Sequence, residues 1–234
     1  MVVRQNGGTG LFGTTVTGDP SSGSTLTDGS GDARFDPVYA GPNVAELDLV
    51  KLSVANARDG SNDLLFTFDV SSLDNLQHAL DATGAPAVDY VARWTGPSVN
   101  DPQTGSKNPI YYASVEVQPG GLTTFFAGEA QSVDLCSVSA CTPHILNYPA
   151  PPQGGTLVTG HRKLGHHPGS ADQWVVRVPR SLVGNPAIGS LLESFSGFTL
   201  ARNHSASVQI TSAEGEAGLT PIEVDGVCCR DAKA

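Results

Sequence analysis

Residues 46–70 read ELDLVKLSVANARDGSNDLLFTFDV, and the period of their apolar residues decides the fold class. In the second half Leu64, Phe66, Phe68 and Val70 stand two apart. A period of two puts these side chains on one face of a pleated strand, whereas a helix repeats near 3.6. In the first half Leu47 and Leu49, then Leu52 and Val54, show the same spacing, and the phase change around Val50 and Lys51 predicts a β-bulge. Between the halves, NARDGSND supplies the Asn, Asp and Gly that turn a chain cheaply. The stretch is therefore predicted as a β-hairpin with one face packed.

The pattern continues outward. AVDYVARWTG, IYYASVEVQ and LTTFFAGEAQSVD are strand-like, and PSVNDPQTGSKNP and PGG separate them, which predicts an antiparallel meander. QGGTLVTGHRKLG and DQWVVRVPRSLVG add two strands with a histidine-rich segment between them. NPAIGSLLESFSGFTLARN suits a helical turn or a strand, and ASVQITSA and LTPIEVDG complete the set. One piece is helical: in SSLDNLQHALDAT, Leu73, Leu76 and Leu80 stand three and four apart after a Ser cap. Residues 5–33 are almost wholly small and polar, so residues 1–33 are expected to form a flexible arm ahead of a single domain, residues 34–234. Nine or ten strands with one short helix and no repeat give an all-β antiparallel β-sandwich.

Composition narrows the partners. The 234 residues carry a net charge of −10, with 27 Gly and 16 Pro, and contain no run resembling a transmembrane span of about 20 apolar residues. Such a charge repels phosphate backbones, and no basic stripe offsets it, so nucleic acid is excluded as a partner. Four cysteines form two pairs, Cys136 with Cys141 in CSVSAC and Cys228 with Cys229 in VCCRD. Neither spacing suits zinc, and disulfides are expected. All three pairings remain open, although a vicinal Cys228–Cys229 bridge would strain its turn. An even cysteine count in an acidic, Lys-poor chain favours an extracellular setting. The opening MVVRQNGGTG has no apolar export segment, so a signal removed from the chain is expected.

HRKLGHH holds His161, His166 and His167, three of the six histidines. Across a tight turn they could meet on one Zn²⁺ or Cu²⁺, but Arg162 and Lys163 oppose a cation, and a solvated inter-strand loop is the plainer reading. Trp94, Trp174 and Tyr148 are candidate sugar-stacking rings; the tryptophans stand in strand patterns where burial is usual, and Tyr148, beside NYPAPP, is expected to be the exposed one. No G-x-S-x-G elbow is present. Glu116, Glu129 and Glu193, the carboxylates a glycosidase would draw on, stand in unrelated segments. The sequon at Asn203 matters only in a glycosylating host.

The order DGSGD, DLVKLSV, LLFTFDVSSL, YVARW, YYASVEV and WVVRVPRSLVGNPAIGSLLESFSGFT resembles the DOMON-like and carbohydrate-binding-module-like sandwich domains of secreted bacterial and archaeal proteins. The likeness covers roughly residues 28–225. It implies a non-catalytic accessory module with a structural Ca²⁺ held by Asp28, Asp32 and Asp48. The residues agree in part: Asp28, Ser30 and Asp32 in DGSGD alternate as the first ligands of a calcium loop do, with glycines letting the backbone curl. No Glu completes an EF-hand, so further oxygens must come from Asp36 or Asp48. The cysteine pairs and HRKLGHH lie outside the resemblance. The expected function is a secreted module that binds glycans or a cell-surface polymer, or spaces other domains of a larger extracellular protein. One alternative is a surface-layer or filament subunit that self-associates through its arm. Another is a hydrolase built on the His161–His167 loop.

Overall fold

In the computed structural model, which describes residues 15–19, 23–33, 42–101, 105–134, 144–165, 170–202 and 222–233, the alternating segments form two antiparallel sheets packed face to face. In chain order the strands are β1 (Thr15–Asp19), β2 (Gly23–Thr27), β3 (Leu49–Asn56), β4 (Leu64–Val70), β5 (Ala87–Thr95), β6 (Val99–Asp101), β7 (Gly105–Lys107) and β8 (Ile110–Gln118). They continue with β9 (Leu122–Glu129), β10 (Gln131–Asp134), β11 (His144–Asn147), β12 (Thr156–Leu157), β13 (Thr159–Lys163), β14 (Asp172–Val178), β15 (Leu191–Arg202) and β16 (Ile222–Lys233). One sheet runs β1-β2-β3-β4-β14-β13 and the other β12-β9-β8-β5-β15-β16. Each has five principal strands, with β1 and the two-residue β12 added at the edges. The small hairpins β6-β7 and β10-β11 lie outside both sheets. The described residues hold no helix long and apolar enough to cross a membrane.

Residues 46–70 form the predicted hairpin, and the register of β3 against β4 slips between Leu49 and Lys51, where the apolar phase changes. The bulge keeps Leu49 and Leu52 both facing the core, each at 0% exposure. Phe66 of β4 stacks on Trp94 of β5 at 4.9 Å between ring centroids, a direct inter-sheet contact. Trp94 and Trp174 are thus core residues at 1% and 2% exposure, so neither offers a stacking face on the surface.

The helix α1 (Leu76–Thr83) is shorter than SSLDNLQHALDAT suggests. Its cap is Asn75, whose Oδ1 accepts from the His78 N–H at 3.3 Å, and not a serine. Leu73 precedes the helix because its N–H is committed to Asp172 Oδ2, at 2.6 Å. Gly84 ends the helix at φ 63°, a conformation that favours glycine.

Within residues 1–33, expected to form a flexible arm, Thr15–Asp19 and Gly23–Thr27 pair as β1 and β2, and β2 pairs with β3 in register Leu26↔Leu52. β2, the second strand from the sheet edge, turns Leu26 inward at 2% exposure among polar residues, so the polar composition concealed it. NPAIGSLLESFSGFTLARN yields the twelve-residue strand β15. Tyr148 is buried at 4% exposure. Its loop lies on the outer face of the second sheet, where Tyr148 meets Tyr112 and Phe198, each at 5.5 Å between centroids. The second sheet is consequently buried on both faces along most of β5 and β8.

Candidate metal centre

Three chain segments converge at one end of the first sheet. The loop DGSGD leaves β2, Asp48 immediately precedes β3, and Ser71 immediately follows β4. The loop is docked by the Asp28 N–H, which donates to Val50 O at 2.9 Å, and by the Val44 N–H, which donates to Ala33 O at 2.8 Å. Asp48 Oδ2 accepts from the Gly31 N–H at 2.7 Å and from Ser71 Oγ at 2.8 Å. Gly31 has φ +90°, which lets the loop fold its amide onto that carboxylate. Asp28 Oδ1 accepts from the Gly29 N–H at 2.8 Å.

What remains unpaired is more telling. Asp28 Oδ2, Asp32 Oδ1 and Asp48 Oδ1 are buried with no hydrogen-bond partner. Asp48 is only 1% exposed. The carboxylates also feel one another's charge. Burial, and then the neighbouring Asp32 and Asp48, push Asp28 up from 3.8 to about 6. Burial and the nearby Asp32 carboxylate raise Asp48 as well, against the hydrogen bonds from Gly31, Ser71 and Asn43. Among the described residues no Lys, Arg or His forms an ion pair with any of the three. Ser30, the middle residue of the loop, is exposed, and Asp36 lies outside the described residues.

The donor set is all oxygen, the chemistry of Ca²⁺ or Mg²⁺ and not of zinc. Among the described residues no group of three or more Asp, Glu, His or Cys side chains stands so that it could hold a metal ion. The aspartates are an acidic cluster with orphaned oxygens, and unneutralised like charges hold such groups apart. A bound cation reverses that repulsion and supplies the missing partner to each orphaned oxygen. By donor chemistry Asp28, Asp32 and Asp48 would hold a hard cation only once drawn together, and they are not assembled as a metal site.

A second carboxylate cluster lies on the outer face of the other sheet. Asp89 and Glu116 stand opposite each other on β5 and β8 and are 0% and 2% exposed. Arg202 at the end of β15 sends both Nε and Nη2 to Asp89 Oδ2, lies 3.9 Å from Glu116 Oε2, and donates to Tyr148 O at 3.2 Å. Burial still pushes Asp89 up to about 7, against the pull of Arg202.

The histidine-rich loop separates into two parts. His161 sits on β13, exposed, at the rim of a groove, and His166 and His167 lie outside the described residues. Asp172, the nearest carboxylate in sequence, accepts from the Gly165 N–H at 2.6 Å and from the Leu73 N–H, so it holds the backbone around His161 and not its ring. Cys136 and Cys141 also lie outside the described residues, as does the Asn203 sequon. Cys228 and Cys229 fall on β16 where its pairing with β15 slips between Phe195 and Gly197, so two residues face one across a bulge. Sequence reasoning missed Ser71, a serine among several turn serines. The signal was its place directly after β4, level with Asp48 across the hairpin.

The chain matches no protein-family model, no curated protein and no solved structure. The β-sandwich architecture thus stands on the structure alone.

Proposed function

We propose that the protein is a non-catalytic extracellular accessory module, DOMON-like or carbohydrate-binding-module-like, that uses a structural Ca²⁺ to hold its N-terminal loop and presents its rims to glycans or a cell-surface polymer. The observation that carries the metal is the set of three buried carboxylate oxygens, on Asp28, Asp32 and Asp48, without a partner. Leaving such groups unmatched is costly, and a cation matches all of them at once. The ion would bridge the exit of β2 to the entry of β3, so the module's role is rigid display. The β1-β2 hairpin pairs with the chain's own β3, which favours this reading over assembly through a free arm. The buried positions of Trp94, Trp174 and Tyr148 remove them as sugar platforms, so ligand contact falls to the loop rims.

Thermal melting of metal-stripped protein, with and without Ca²⁺, tests the ion. The expected result is a rise in Tm that saturates with Ca²⁺ and is lost in Asp48→Asn. An unchanged Tm across millimolar Ca²⁺ removes the metal from the function.

A further inference from the structure

The chain crosses from one sheet to the other between β12 and β13, where the Val158 N–H donates to Phe125 O at 3.0 Å, and beside this crossing lies a groove of about 580 Å³, within the range of small-molecule sites. Its walls are α1, the β8–β9 turn and β13. Phe125 lines it, half-buried. That ring is seated on bare backbone, because a Cβ on Gly160 would come within 2.2 Å of Phe125 Cδ1. Trp174 braces it from below in an edge-on contact, 6.0 Å between centroids and 69° between planes. A ring held on a glycine and braced by a buried indole loses little freedom when a ligand covers it.

Around that apolar floor the walls are polar and of mixed sign. Gln77 on α1 and Thr123 on β9 add an amide and a hydroxyl that are partly engaged, Gln77 Nε2 donating to Asp81 Oδ1 at 2.8 Å, Gln77 Oε1 accepting from the Gly120 N–H at 3.3 Å and Thr123 Oγ1 donating to Gly121 O at 3.1 Å. Each offers its remaining donor or acceptor, while Asp74 lines the groove with His161 and Arg162. Arg162 Nη1 donates to Leu73 O at 3.1 Å, so part of its donor capacity is already used. A phosphate or sulfate site would gather cations without a carboxylate among them, and a purely apolar ligand would cover the exposed His161 imidazole without supplying it a partner. A flat C–H face bordered by hydroxyls that both donate and accept is matched on every side. We propose that this groove is the module's saccharide-binding site and that its ligand is a neutral, pyranose-based oligosaccharide, with Phe125 as the stacking platform and Gln77, Thr123 and His161 as hydrogen-bonding partners.

The assignment rests on the reading of the protein as a glycan-binding module but is independent of the calcium. The full chain is titrated calorimetrically with soluble hexasaccharides of β-1,4-linked glucose, mannose and xylose and of α-1,4-linked glucose, and with polygalacturonate and inorganic phosphate. At least one neutral hexasaccharide is expected to saturate. Phe125→Leu, which keeps the packing volume but removes the aromatic face, is expected to weaken it at least about tenfold, and the exposed His161→Ala severalfold with an unchanged Tm. Neutral sugar bound equally by both variants places the site elsewhere and overturns the groove while sparing the glycan-binding module. Binding of polygalacturonate or phosphate alone overturns the ligand class. Binding of no probe overturns both the groove and the glycan reading.

Discussion

Two clusters of buried carboxylates, one on each sheet, solve the same electrostatic problem differently. Asp89 and Glu116 have a cation supplied by the chain, Arg202, which grips Asp89 through two nitrogens. Asp28, Asp32 and Asp48 have no described counter-ion, and each keeps a buried oxygen unpaired. A chain that gathers negative charge into a low-dielectric site must neutralise it by a side chain, a proton or an ion. The first cluster is covered by its own guanidinium; the second has backbone amides and a serine hydroxyl, which offset burial only in part. That difference separates a structural ion pair from the cluster proposed to take its cation from solution.

The comparison can be broken most forcefully at Arg202. Arg202→Met strands Asp89 and Glu116 in the outer packing and is expected to destabilise the fold by about 3–5 kcal/mol in urea unfolding at pH 7.5. A loss below about 1 kcal/mol would mean that the second sheet does not depend on its internal cation. The other cluster is expected to respond to solution instead. Ca²⁺ at about 100 times its Kd adds about 2.7 kcal/mol of stability to the wild type, nothing to Asp48→Asn, and the same increment to Arg202→Met as to wild type.

Protons sharpen the contrast. With its pKa raised from 3.8 to about 6, Asp28 in the metal-free fold holds a proton that the unfolded chain has already released. Its contribution to stability is fully present below about pH 3.8 and is lost as pH rises through about 6. Metal-free Asp28→Asn should therefore show a smaller fall in Tm between pH 4.5 and 7.5 than metal-free wild type. Saturating Ca²⁺ should remove the wild-type fall at this site, because the ion binds the deprotonated form. Asp89, raised to about 7, follows the same sign over a higher window, and its share, read as the difference between wild type and Asp89→Asn, should be indifferent to Ca²⁺. The smallest expected effect is at Ser71. Ser71→Ala removes one hydrogen bond to Asp48 Oδ2 and should cost about 1 kcal/mol, with a severalfold loss of Ca²⁺ affinity by calorimetry.

Legibility in the sequence follows the range of the physics involved. Residues 46–70 disclosed their strands, their turn and even their bulge, because side-chain alternation is a local property of the backbone. The DGSGD loop shows its carboxylates in its residue types alone. The edge hairpin did not show, since β1 and β2 need almost no apolar residues to pair. Tyr148 looked exposed because NYPAPP is a loop composition, yet that loop covers the second sheet, and no local pattern carries the information that a sheet will be buried on both faces. Phe125 was one of two adjacent phenylalanines in a strand, and only the opposing Gly160 and Trp174 distinguish it from its buried neighbour Phe126.

By itself the sequence determined which segments are extended, which face of each is apolar, and which loop is rich in carboxylates, because each of these is set within a few residues. The tertiary structure alone decided that Arg202 reaches Asp89 across 113 positions and that a groove lies among α1, the β8–β9 turn and β13. Those outcomes depend on strand order and on which sheet each strand joins. Strand order is fixed by the summed burial of many side chains from distant segments, and no short stretch of chain records that sum.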